Sequence, residues 1–137
     1  SGFFSSILRE PLDGKEAILP VDESARHWHA SPRAAVNFLL HAAGLETVRL
    51  GTRRNLNMPG LSATVGEQID ALRRVAGEKA AALIRREPDG MITEMVDGWA
   101  KDFDAARALS LGFQAEASFD DIIRIHIDDE LGGALPR

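Results

Sequence analysis

The sequence contains no cysteine and no tyrosine among its 137 residues. The first absence excludes disulfides and thiolate chemistry, and fits a reducing, cytoplasmic setting. The second means that no phenolate from this chain can abstract a proton. No Gly-x-Gly-x-x-Gly or Gly-x-x-Gly-x-x-Gly run follows a strand-like segment, so no dinucleotide fingerprint is visible. Basic charge is short as well. The 16 Lys and Arg residues against 21 Asp and Glu leave a formal net charge of −5, which argues against a nucleic-acid partner. Arginine pairs at Arg53-Arg54, Arg73-Arg74 and Arg85-Arg86 still suffice to hold one anion. No apolar run approaches the ~20 residues needed to span a bilayer, so no membrane partner is expected. Ser1-Gly2-Phe3-Phe4 also lacks the basic flank and cleavable apolar core of a signal peptide.

What is present is an ordinary globular composition, 45% hydrophobic and 27% charged, at a length that suits one domain or a piece of a larger one. The most informative stretch runs from Ala25 to Ala43. Ala25 to His29 reads as a strand in which Arg26 and Trp28 share one face, and His27 and His29 the other. Ser31 suits a helix N-cap and Pro32 its first turn. Ala35, Phe38, Leu39 and Ala42 then form an apolar stripe, which predicts a buried helix from Pro32 to Ala43. A strand end before a helix N-terminus is where open α/β folds place ligands.

Elsewhere the pattern predicts a helix over Phe3–Arg9 ended by Pro11, a strand over Glu16–Leu19, and short extended segments over Glu46–Leu50 and Arg54–Met58. Thr64-Val65-Gly66-Glu67 has the spacing of a capping box, opening a helix that carries Val65, Ile69, Leu72 and Val75 up to Gly77. A strand is expected over Ala81–Ile84. Asp89 opens a helix with Met91, Ile92, Met95 and Val96, and Asp102 caps a short one through Ala106 and Leu109. Ser118 begins the last helix, with Phe119, Ile122, Ile123, Ile127 and Leu131 on one side and Gly132-Gly133 closing it. The strands are few and scattered, in the manner of edge additions to a sheet that lies elsewhere.

This succession resembles the C-terminal portion of extended short-chain dehydrogenases, the NAD-dependent epimerase and dehydratase group. Arg26-His27-Trp28-His29-Ala30-Ser31 stands where that family has Arg-Asp-Tyr-Ile-His-Val. Arg54-Asn55-Leu56-Asn57 matches its Tyr-Asn-Leu-Gly-like strand, and Thr64-Val65-Gly66-Glu67-Gln68-Ile69 its Ser-Val-x-Glu-x-Ile helix start. Arg86-Glu87-Pro88-Asp89 matches Arg-x-x-Asp, and Leu111-Gly112-Phe113 matches Leu-Gly-Trp. Within the group, Ser1-Gly2-Phe3-Phe4, the Arg26–Ser31 segment and Met58-Pro59-Gly60-Leu61-Ser62 are most similar to members that act on small sugar acids.

The resemblance implies an α/β fold: a helix-rich C-terminal substrate-binding lobe of a Rossmann-type enzyme, with short strands and about five or six helices. Residues 1–137 would then be that lobe, with the N-terminal NAD-binding Rossmann half absent. It also implies an NAD-dependent oxidoreductase acting on the 2-hydroxyl of a small sugar acid such as D-erythronate, and a homo-oligomer. The family's glycine-rich loop and Tyr-x-x-x-Lys pair have no counterpart here, so this chain alone is expected to be inactive and to bind NAD weakly at most. No catalytic residue and no metal site is assigned to it.

Six residues are carried as substrate-binding candidates. Arg26 has the planar fork that suits a carboxylate, against the plainer reading of an ion pair with Asp22 or Glu23. Trp28 can wall the pocket or simply fill the core. His27 can contact substrate while His29 bonds locally; as a metal pair they lack a third ligand of recognisable spacing. Ser1 and Phe3, with Phe4, sit where the family's substrate loop enters, or merely pack a helix. Arg86 matches an anion-binding arginine, or pairs with Glu87 or Asp89. His41 and His126 read as helix-surface or interface residues, and Asp128-Asp129-Glu130 as a solvated run of little structural value. Two alternatives stand beside the sugar-acid reading: a nucleotide-sugar epimerase or dehydratase lobe, and a stand-alone binding domain.

Overall fold

The structure is a computed structural model, and residues 2–135 are described. Among them seven α-helices, one 3-10 turn and four short strands alternate. The α/β class expected from the sequence is what forms, with more helices than the five or six anticipated.

Helix α1 (Phe3–Leu12) turns Phe4, Ile7, Leu8, Pro11 and Leu12 inward. It does not stop before Pro11. Asp13 N still reaches Arg9 O at 3.1 Å, and burial of Pro11 and Leu12 offsets the one donor that proline lacks. Strand β1 (Ala17–Leu19) pairs in parallel with β4 (Ile84–Arg86), and β2 (Arg26–His29) pairs antiparallel with β3 (Leu61–Thr64). Helix α3 (Val65–Ala76) starts at the expected capping box: Glu67 N donates to Thr64 Oγ1 at 3.1 Å, and Thr64 N to Glu67 Oε2 at 2.7 Å. It packs against α1 and α7 (Phe119–Glu130), and Ile7, Leu12, Leu19, Val65, Leu72 and Ile123 fill the core between them. Arg74 clamps Asp120 with two bonds, at 2.6 and 3.1 Å, and so ties α3 to α7. A smaller cluster gathers Phe38, Leu56 and Met58 around Ala108, Leu111 and Phe113, near α6 (Ala106–Ser110).

Several expectations are corrected. Helix α2 (Pro32–Gly44) forms, with Ser31 Oγ accepting from Ala34 N at 2.9 Å, but it is not buried: among its residues only Ala34 is enclosed. Glu46–Leu50 is not extended; a 3-10 turn, η1 (Thr47–Leu50), stands there. Arg54–Met58 forms no strand, and the pairing falls to β3 instead. Ser62 and Thr64 gave that segment a polar look, while its ladder to β2 is long-range and leaves no local signature. The strand placed at Ala81–Ile84 begins only at Ile84, because Gly77 ends α3 and a further turn, α4 (Glu78–Ala81), follows. Helix α5 (Gly90–Asp97) is capped by Asp89 as expected, whereas α6 is preceded by Asp104, not Asp102. Asp129 is not idle either: Arg33 grips both of its oxygens, at 2.5 and 3.0 Å, joining the start of α2 to the end of α7. Among the described residues no helix is long and apolar enough to cross a membrane.

Candidate functional site

The β2–β3 ribbon separates two environments, because alternation along β2 sends its four side chains to opposite faces. On the histidine face, Phe4 stacks on His27 with centroids 5.0 Å apart, and Phe119 meets His29 edge-on at 5.2 Å. Trp99 lies 5.5 Å from His27, whose Nδ1 is 3.3 Å from the carbonyl of Ala100. Since a carbonyl only accepts, Nδ1 is the donor in that contact. These rings, with His126, line a mainly apolar cavity of about 320 Å³. Burial, with a smaller contribution from His27, pushes the His29 imidazole down to about 4, so it is neutral near pH 7. Its Nε2 faces the side-chain amide of Gln68 at 3.1 Å.

On the opposite face, Arg26 NH1 donates to the carbonyl of Ser62 at 2.9 Å, and NH2 lies 3.6 Å from Glu67. Ser62 is itself anchored, its hydroxyl donating to Lys101 O at 2.7 Å. Trp28 Nε1 donates to Met58 O at 3.2 Å, and its ring meets Phe103 edge-on at 5.9 Å. Gly60 makes this possible: a Cβ there would lie 2.6 Å from both His29 O and Trp28 Nε1. Trp28, Met58 and Phe103 border a second hollow of about 300 Å³ that also reaches Phe38.

Arg86 pairs with neither Glu87 nor Asp89. Its Nε donates to Glu23 at 2.7 Å, and the Glu87 carboxylate goes to Arg85. Arg26, in turn, pairs with Glu67 and with neither Asp22 nor Glu23. The two arginine–glutamate pairs are neighbours, because Gly66 N donates to Glu23 O at 2.9 Å and Glu67 follows at once. The structure therefore brings Arg26 and Arg86 toward one border of the ribbon and gathers His27 and the α1 phenyl rings on the other. Phe4, not Phe3, lines the cavity; Phe3 stacks behind it at 4.2 Å. Ser1 lies outside the described residues.

Gln68, Trp99 and Phe119 were not read as site residues in the sequence. Gln68 had a usable signal: it is a polar residue inside the apolar stripe of α3, and it is fully buried. His41 is likewise more than a surface residue, since its Nε2 meets Leu111 O at 2.8 Å and its ring sits on Phe113. Among the described residues no three His, Asp or Glu side chains gather as a metal site. No glycine-rich turn among the described residues links a strand to a helix either.

No family model matches the chain. It is 46% identical to a D-erythronate dehydrogenase from Cupriavidus necator, over 94% of this chain and 40% of that protein. A crystal structure described as the nucleoside-diphosphate-sugar epimerase from Agrobacterium tumefaciens superposes with a TM-score of 0.97 at 68% identity, covering 99% of this chain and 40% of the other. L-threonine 3-dehydrogenase from Trypanosoma brucei shares the fold alone, with a TM-score of 0.80 at 16% identity over 99% of this chain and 42% of that one. The chain thus spans about 40% of the length of the curated relatives it matches. In sequence and in fold it is the counterpart of the C-terminal portion of the extended short-chain dehydrogenases, the NAD-dependent epimerase/dehydratase group.

Proposed function

We propose that this chain is the substrate-recognising lobe of an NAD-dependent oxidoreductase acting on the 2-hydroxyl of a small sugar acid, D-erythronate being the first candidate. The observation that carries the reading is the 46% identity to a D-erythronate dehydrogenase across nearly the whole chain. NAD accepts the hydride in such a reaction, and holding it falls to the rest of the enzyme. The residues here bind and orient the acid. Arg26 is suited to its carboxylate: NH1 is fixed by Ser62, while NH2 has only a long, half-exposed ion pair with Glu67 that a substrate anion can replace. Trp28, held by Met58 and Gly60, stiffens the strand behind it. His27 lies on the opposite face of the ribbon from Arg26, so it belongs to the apolar cavity with Phe4 and not to the carboxylate contact. Phe4, with Phe3 beside it, belongs to the cavity side of the ribbon in this reading, and Arg86 to the anion-binding border with Arg26.

A second reading is supported by the Agrobacterium neighbour, described as a nucleoside-diphosphate-sugar epimerase. In that case Arg26 and Arg86 would share a diphosphate, and both would have to leave their glutamates. The experiment is a complete enzyme in which this chain replaces the matching portion of the Agrobacterium protein, assayed with NAD and a panel of four-carbon sugar acids, and separately with nucleotide sugars. NAD reduction by D-erythronate is the expected result. Epimerisation of a nucleotide sugar without acid oxidation would overturn the substrate class, and inertness toward both would leave only a binding domain.

A further inference from the structure

Along the border that holds Arg26 and Arg86, each arginine already faces a carboxylate. Arg26 has Glu67, Arg85 has Glu87 and Glu16, and Arg86 has Glu23. The pairs are not equal. Arg26 NH2 lies 3.6 Å from Glu67, whose Oε2 also accepts from Thr64 N at 2.7 Å. Glu67 therefore keeps a partner when Arg26 turns to another anion. Arg86 is held more closely: its Nε donates to Glu23 at 2.7 Å, and its NH2 reaches the same oxygen. Among the described residues the Glu23 carboxylate has no other donor, so losing Arg86 would leave it unpaired.

Both members of this pair stand on anchored backbone. The turn that carries Glu23 is fixed by Ser24 N on Asp22 Oδ1 at 2.8 Å and by Ala25 N on Asp22 O at 3.0 Å. Gly66 N donates to the Glu23 carbonyl, and Glu23 Oε2 lies 3.7 Å from where a Cβ on Gly66 would stand. Arg86 ends β4, and Glu87 N on Leu19 O at 3.0 Å carries that pairing past it. The Glu23 carboxylate is thus set between Arg86 and the first turn of α3, where Glu67 meets Arg26.

We propose that Glu23 is a specificity-determining residue: by holding Arg86 it leaves a single arginine, Arg26, for a single carboxylate, and turns away diphosphates. The inference rests on the proposed function for the acid and for its place at Arg26. A monocarboxylate can replace Glu67 at Arg26 one charge for one. A diphosphate needs Arg86 too, strips Glu23 of its cation and then stands beside a like charge. The Arg86 and Glu23 side chains are 55% and 42% exposed, so screening holds the discrimination to roughly tenfold.

Glu23→Gln tests this, because it keeps an oxygen for Arg86 and removes only the charge. The complete enzyme described above is saturated with NAD, so that the nucleotide site is filled, and titrated calorimetrically with inorganic pyrophosphate. Glu130→Gln, at the end of α7, serves as the charge control. Glu23→Gln should bind pyrophosphate at least fivefold more tightly than wild type, whereas Glu130→Gln should match wild type. A smaller gain in a Glu23→Gln protein of near-normal melting temperature overturns the inference. So does an equal gain in Glu130→Gln, since net charge alone would then account for it. If the wild-type enzyme oxidises no sugar acid while Glu23→Gln still gains pyrophosphate affinity, the proposed function falls and the role of Glu23 stands.

Discussion

Lowering the pH should destabilise the fold through His29, by an amount the structure sets. In the unfolded chain this imidazole takes a proton near its ordinary value of 6.5, whereas in the folded chain burial, with a smaller effect from His27, holds it to about 4. Between those values the unfolded state binds more protons, so stability rises with pH across the window. The contribution is complete above pH 6.5 and is lost as pH falls toward 4. At about 1.4 kcal/mol per unit of separation it amounts to about 3 kcal/mol. For a domain of this size that is roughly 10 °C of melting temperature. Thermal melts of wild type and His29→Leu from pH 7 to 4.5 isolate the effect, since carboxylates such as Asp120 and Asp129 titrate in both proteins. Wild type should lose stability more steeply by most of that amount. Parallel curves for the two proteins would refute the buried, neutral imidazole.

Other outcomes follow from the packing. Gly60→Ala drives a methyl group to 2.6 Å from His29 O and Trp28 Nε1, so it should cost about 1–3 kcal/mol in urea unfolding and alter the tryptophan emission. Leu72→Ala, in a fully buried position of α3, should cost about 2–5 kcal/mol by the same measurement. Thr64→Ala removes one arm of the capping box and should cost about 1 kcal/mol, visible as a lower urea midpoint.

How much of this was legible in the sequence depended on how local the cause was. The capping box of α3, the Ser31 and Asp89 caps and the alternation of β2 all come from residues within four positions of one another, and each stands where the sequence put it. Strand β3 was missed because its reason to be extended is β2, more than 30 residues away. The burial of α2 was misjudged for a related reason. Its stripe of Phe38 and Leu39 reads correctly as a helix, but only the Phe38 side packs against the described residues, and Leu39 is left 73% exposed. In the candidate site, Arg26 and Trp28 share a face and His27 and His29 the other, as strand periodicity requires. Their partners Glu67, Met58, Gln68 and Ala100 came from distant segments that no spacing rule links to β2.

The central claim is that this lobe grips the substrate, and Arg26 is its sharpest point. In the complete enzyme, Arg26→Ala should raise the KM for D-erythronate at least tenfold, leave the melting temperature within a few degrees and change kcat far less. An unchanged KM in a normally folded variant would contradict it.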